Sequence, residues 1–317
     1  CERVRLMNSG TEATSTAIRL ARGVTGRDRI VTFAGNFHGA TDALLVAGGS
    51  GIATLGLPGT AGVPNAAVAE TMVAPYNVVP ELTDEIAAVI VEPVAANMGV
   101  VGPEPGFLQG LRDECDRVGA LLIFDEVITG FRLSPGGAQE KSDIVPDITC
   151  FGKVIGGGLP IGAIGGRADV MEQLSPLGSV FHAGTLSGNP LATAAGLAAL
   201  DQLTPDVYIE LLARARRLGS LMRDACADAG FPARFPVVGT LVGIVCGTAA
   251  ADPVRDFDDA KTTDEQAYAR FFRAMLAEGV ALAPGAYEAI FVGMAHTDDV
   301  LALIGDATAR AAAAAVG

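Results

Sequence analysis

The five cysteines of this chain never form a Cys-x-x-Cys pair; they stand apart at positions 1, 115, 150, 226 and 246. An odd, scattered set of thiols excludes a disulfide framework and a zinc ribbon, and makes a reducing, cytoplasmic setting the default expectation. No apolar stretch reaches the length of a membrane span, and the chain shows no basic-then-apolar leader. It opens instead at Cys1 in "CERVRLMNSGTEAT", which reads as the middle of a protein. Basic runs are missing too. Asp and Glu outnumber Lys and Arg by 36 to 22, for a formal charge of −14, so the chain should repel nucleic acid and anionic membranes. "RARRLGSLMR" (214–223) is the solvated face of an amphipathic helix. Lysine is the scarcest charge of all, present only at 141, 153 and 261.

What remains is half apolar, with 40 glycines, a composition that fits a compact globular enzyme. Short apolar runs alternate with helical patterns. "RIVTF" (29–33), "AAVIVEPV" (87–94), "ALLIFDEV" (120–127) and "PIGAIGG" (160–166) predict buried strands. Residues 12–26 and 106–120 carry apolar positions at helical spacing with glycine at their ends. This alternation predicts an α/β fold with a mainly parallel sheet sandwiched by helices. After about residue 205 the texture changes to long helices (207–230, 264–279) and short strands within 237–247. The expected division is a large domain over 1–205 and a smaller C-terminal α+β domain over 206–317. The alanine-rich end, "DATARAAAAAVG", is expected to be a terminal helix that frays.

Lys141 and Lys261 sit among charges, as surface lysines do. Lys153 sits in "DITCFGKVIGGGLPIGAIGG" (147–166), with seven glycines and no other charge between the bordering Asp147 and Arg167. A phosphate-binding loop is excluded, because the glycines follow the lysine and Val154 stands where Ser or Thr is needed. A snorkelling surface lysine and a Schiff-base lysine, its amine made nucleophilic by desolvation, remain. Two neighbours favour the second. Asp125 ends an apolar strand, where open α/β sheets place ligands, and could hold a pyridinium nitrogen. The alternatives there are a helix cap or, with Glu126 adjacent, a metal ligand; no histidine lies within fifty residues. Ser9, Gly10 and Thr11 open a helix whose N–H groups suit a phosphate, although Ser9 with Glu12 also reads as an ordinary cap. The three signals agree on one cofactor, pyridoxal phosphate.

The segments "MNSGTEAT", "VEPVAANMGVV", "LLIFDEVITGFR", "PDITCFGKVIGGGLPIGAIGGRADVM" and "HAGTLSGNPLATAAGLAAL" resemble the class-III, fold-type-I pyridoxal phosphate aminotransferases, and most of all their aminomutase branch. The resemblance implies a fold-type-I architecture and a homodimer. It makes Lys153 the Schiff-base lysine and proton carrier, Asp125 the partner of the ring nitrogen, and Val127 a packing residue against the ring. Ser9, Gly10 and Thr11 would cradle the phosphate, and Thr185 would reach the cofactor of the other subunit. Asn97 would lie near the ring hydroxyl, Glu92 near the cofactor, and Glu288 at the substrate mouth. The implied activity moves an amine within one molecule, from (S)-4-amino-5-oxopentanoate to 5-aminolevulinate for tetrapyrrole synthesis. The alternative is an aminotransferase acting between two substrates.

The chain departs from the family pattern in places. Phe37 stands where a tyrosine is usual before "HG", keeping a ring to stack while losing a hydroxyl. His38 beside it is expected to be structural support, and His296 to orient a turn. "FHAGT" puts Phe181 and His182 where "YQAGT" is common; His182 is either a substrate contact or a structural histidine at the dimer seam. A domain-sized segment that precedes "NSGTEA" in the family, and that supplies part of the pocket and of the dimer interface, is not in this sequence.

Overall fold

The computed structural model describes residues 1–46 and 60–316. These form two compact units. One is built from residues 1–46, 60–93 and Pro103–Thr204, the other from Val94–Gly102 and residues 205–316.

The first unit is organised on a seven-stranded sheet: β1 (Arg3–Met7), β2 (Arg29–Phe33), β3 (Thr71–Ala74), β4 (Ile86–Val91), β5 (Leu121–Asp125), β6 (Ile148–Phe151) and β7 (Gly162–Gly166). Their spatial order is β1-β7-β6-β5-β4-β2-β3. Every residue of β4 and β5 is buried, which is why both read as continuous apolar runs. The strands from β3 to β6 pair in parallel, whereas β7 runs antiparallel to β6 and β1 antiparallel to β7. Two reversals bring β1 back to the direction of β6. The chain therefore leaves β1, β2, β4, β5 and β6 at one edge of the sheet.

Helix α1 (Gly10–Thr25) packs its Ala13, Ala17, Ile18, Leu20 and Ala21 on Ile30, Ala88, Ile90, Ile123 and Ile148 of the sheet. Ser9 caps its start, and Gly26, at φ 67°, ends it by donating its N–H to the Arg22 carbonyl. Helix α2 (Phe107–Val118) packs on β4 and β5, and Phe33, Tyr76 and Phe107 meet edge-on at 5.0–6.2 Å between ring centres. Helix α3 (Pro190–Leu200) lies on the turn Lys153–Gly156.

The second unit joins α4 (Pro205–Asp228), α5 (Glu265–Ala277) and α6 (Asp298–Ala315) to short strands, around Leu218, Met222, Phe271, Met275 and Leu301. The expectation of a frayed tail is overturned. Ala311, Ala312 and Ala315 are at most 1% exposed within this core, because small side chains let α6 approach α4 and α5 closely. The segment 94–102 belongs to the same unit: Gly99 donates its N–H to the Tyr287 carbonyl at 2.9 Å. Among the described residues no helix is long and apolar enough to cross a membrane.

Candidate active site

The strand ends collect the chemistry at one edge of the first unit's sheet. Asp125 terminates β5 with its carboxylate buried. Its Oδ1 accepts the Val127 N–H at 3.1 Å, and its Oδ2 lies 2.7 Å from His38 Nδ1. His38 is also buried, and its Nε2 has no hydrogen-bond partner among the described residues. Beside them Cys150, paired with Asp125 across β5 and β6, has its thiol pushed well up, by burial first and by the Asp125 charge second.

The loop after β2 holds His38 from several sides. Thr14 of α1 donates its hydroxyl to the His38 carbonyl at 2.6 Å, and Ala40 N–H donates to Thr11 Oγ1 at 3.2 Å. Between them Gly39, at φ 81°, lies so close to Thr11 that any side chain would collide with it. Glu92 is buried just past β4; its Oε2 accepts the Phe37 N–H at 3.0 Å, and its own N–H donates to Asn36 Oδ1 at 2.8 Å. Glu92 thus anchors the backbone of Phe37, a residue that is 37% exposed.

Lys153 follows β6 directly. It opens the turn Lys153–Gly156 at φ 47°, a left-handed conformation that costs energy for a side-chain-bearing residue and recurs at functional sites. Val127 wedges between Gly10 and Gly152, the residue before Lys153. A Cβ on Gly152 would lie 3.2 Å from Val127 Cγ1, and one on Gly10 3.0 Å from Val127 Cγ2. The same Cβ on Gly152 would lie 3.7 Å from the Gly10 Cα. Val127, Asp125, Gly152 and the mouth of α1 therefore adjoin one another, with Lys153 next along the chain from Gly152.

One expectation needs correction. Lys153 is exposed, so the described residues do not supply the desolvation expected of its amine. Further along the stretch, the glycines make room for backbone: a side chain at Gly157 would strike the Ala195 carbonyl, and one at Gly162 the Ser9 carbonyl.

At the mouth of α1, Ser9 Oγ accepts the Glu12 N–H at 3.2 Å and the Ser9 carbonyl accepts the Ala13 N–H at 3.0 Å. The N–H groups of Gly10 and Thr11 lie ahead of the helical ladder and face outward from it. A cavity of about 910 Å³ opens there, lined by Ser9, Thr11, Glu12, Arg19, Asp42 and His182 among others. Thr185 is exposed in the loop beyond His182. Asn97, buried, and Glu288, half-buried, belong to the second unit.

Glu126 is a structural carboxylate. It accepts from Thr129 Oγ1 (2.9 Å), Ala138 N (2.6 Å) and Gln139 Nε2 (2.8 Å), which engages both of its oxygens. Among the described residues no group of three His, Cys, Asp or Glu could hold a metal ion. The sequence reading missed the pair His182–Glu12, at 2.8 Å, and the direct bond of His38 to Asp125. The spacing Ser9-x-x-Glu12 signalled a cap, but nothing in the sequence pointed to a histidine 170 residues away.

A buried carboxylate and an amine at the carboxyl edge of a mixed sheet, next to a helix mouth, define a class of enzyme. The class-III aminotransferase family matches residues 1–297, and the chain belongs to it. The glutamate-1-semialdehyde 2,1-aminomutase of Desulfosudis oleivorans is 54% identical over 306 residues, covering 94% of this chain and 71% of that protein. The glutamate-1-semialdehyde 2,1-aminomutase of Pelotomaculum thermopropionicum is 51% identical over 323 aligned residues, covering 99% and 74%. Among solved structures, an omega-transaminase from Sphaerobacter thermophilus superposes with a TM-score of 0.88 at 33% identity, over 99% of this chain and 75% of that one. A glutamate-1-semialdehyde-aminomutase from Pseudomonas aeruginosa PAO1 in complex with PMP gives 0.81 at 26% identity, over 98% and 71%. The fold is fold type I, as the motifs implied.

Proposed function

We propose that this chain converts glutamate-1-semialdehyde to 5-aminolevulinate by moving an amine within the molecule, using pyridoxal phosphate. The observation that carries this reading is identity of 51–54% to aminomutases over at least 94% of the chain. The superposed omega-transaminase shares 33%.

The residues of the site suit that cofactor. The N–H groups and hydroxyls of Ser9, Gly10 and Thr11 offer an anion site at a helix N-terminus. A buried carboxylate, Asp125, suits a protonated ring nitrogen, and a primary amine, Lys153 Nζ, suits an aldehyde. Bound pyridoxal phosphate supplies an electron sink and carries the migrating amine.

The chain's own groups do the rest. Asp125 keeps a proton on the ring nitrogen, and His38 Nδ1 and the Val127 N–H fix that carboxylate in place. Val127 and Phe37 confine the ring, with Phe37 held through Glu92. Lys153 Nζ anchors the cofactor and then carries the proton between the two carbons that exchange the amine. Asn97 and Glu288 serve the ring hydroxyl and the substrate mouth. The enzyme works as a cytoplasmic homodimer in which Thr185 reaches the partner's cofactor, and the large catalytic domain spans 1–205 with a small domain over 206–317. The cytoplasmic setting rests on cysteines that are all free, four of them buried.

The test supplies glutamate-1-semialdehyde and cofactor without any amino acceptor or donor. Steady formation of 5-aminolevulinate is expected. Turnover only when a second keto acid or amine is added would establish the two-substrate aminotransferase instead.

A further inference from the structure

Glu12 is the third residue of α1, where a carboxylate commonly turns back to the helix cap or towards the helix's own first N–H groups. Here one oxygen turns back to the residue before the cap and the other reaches a distant loop. Oε2 accepts from Asn8 N at 2.7 Å and from Asn8 Nδ2 at 2.9 Å, and Oε1 lies 2.8 Å from His182 Nε2. The imidazole is only 5% exposed, so this contact is a defined one. Arg19 Nη1 donates to the Phe181 carbonyl at 3.4 Å, laying the same loop along α1. Gly184 completes the fit: a Cβ there would lie 2.7 Å from Asn8 Nδ2 and 3.1 Å from Glu12 Oε1. Burial raises the Glu12 carboxyl, but the Asn8 N–H, His182 and the Asn8 amide outweigh it and hold the group below the usual carboxylate range.

An ionised carboxylate in the first turn competes with any other anion for the helix mouth, and Glu12 lines the same cavity as Ser9 and Thr11. We propose that His182 is a positioning residue for phosphate recognition: by holding Oε1 while Asn8 holds Oε2, it helps keep Glu12 turned away from the N–H groups of Gly10 and Thr11, leaving them to the cofactor's phosphate. The inference rests on the reading of the α1 mouth as the phosphate site. His182 does not touch the cofactor; it acts through Glu12.

The experiment measures dissociation constants of pyridoxal phosphate and of pyridoxal, which has no phosphate, for the full chain and its variants. His182→Ala should weaken pyridoxal phosphate about five- to tenfold, the size of a first-turn charge effect, and leave pyridoxal within about twofold. His182→Gln, which can still donate to Oε1, should restore the preference. Glu12→Gln in the His182→Ala background should restore it too, because the competing charge is gone. Should His182→Ala not fold, Glu12→Gln alone keeps the test, since it should hold or raise the preference for the phosphate form, and a fall overturns the proposal. Equal losses for both ligands in His182→Ala, or no recovery in the double variant, also overturn it. A wild-type chain that prefers pyridoxal phosphate, with a His182→Ala variant that keeps the whole preference, overturns this inference alone. A wild-type chain that binds both ligands alike overturns the phosphate reading and this inference with it.

Discussion

His38 Nδ1 and Asp125 Oδ2 meet at 2.7 Å, both side chains buried, at the carboxyl edge of the sheet. A buried carboxylate survives only with such partners, and this one has a histidine and a backbone N–H. Asp125→Asn keeps the shape and removes the charge. Turnover should fall by about a hundredfold or more, in line with the loss of a group that governs proton transfer. Steady-state kinetics with saturating cofactor checks this; a loss confined to KM would contradict the assigned role.

Removing the other partner tests stability. His38→Ala leaves Asp125 buried with one hydrogen bond fewer, at a cost of about 1.5–3 kcal/mol. The unfolding midpoint should drop accordingly, and the Asp125→Asn, His38→Ala double variant should lose less than the sum of the two single changes. Additive losses would mean that the two residues act independently.

Gly162→Ala places a Cβ against the Ser9 carbonyl, a backbone atom that cannot swing aside. The cost should be about 1–3 kcal/mol by overpacking, with a displaced α1 mouth and weaker pyridoxal phosphate binding. Calorimetry and a cofactor titration on the same variant check both parts.

Glu114 provides a pH prediction away from the site. The Arg117 guanidinium, then the Leu82 N–H, hold its carboxyl down at about 2. A carboxyl depressed in the folded state stabilises above its ordinary range near 4.5, and that contribution is lost as pH falls towards 2. Glu114→Gln should therefore lower the melting temperature at pH 6, and the gap to wild type should close between about pH 4.5 and 2. Because the pair is solvent-exposed, high salt should shrink the gap. A gap independent of pH would contradict the sign.

The sequence spelled out what local pattern controls. β4 and β5 were legible because burial on both faces leaves a continuous apolar run. β1, "RVRLM", was not, since it is an edge strand with its first two residues exposed and arginines at 3 and 5. Lys153 was legible through its isolation among glycines, and Asp125 through its place at the end of an apolar strand. Their supports were not. The His38–Asp125 bond spans 87 residues and the His182–Glu12 bond 170, distances at which only the folded chain creates the contact. The alanine-rich tail failed for the same reason: its composition suggests fraying, and its packing on α4 and α5 lies outside local pattern.

The most direct test of the central claim uses the scarcity of lysine. The chain is loaded with pyridoxal phosphate, reduced with borohydride, digested, and read by mass spectrometry. A phosphopyridoxyl mass on the peptide that carries Lys153, absent from Lys153→Ala, is the result this account predicts. Label on Lys141 or Lys261 instead, or no label on any of the three, would contradict it.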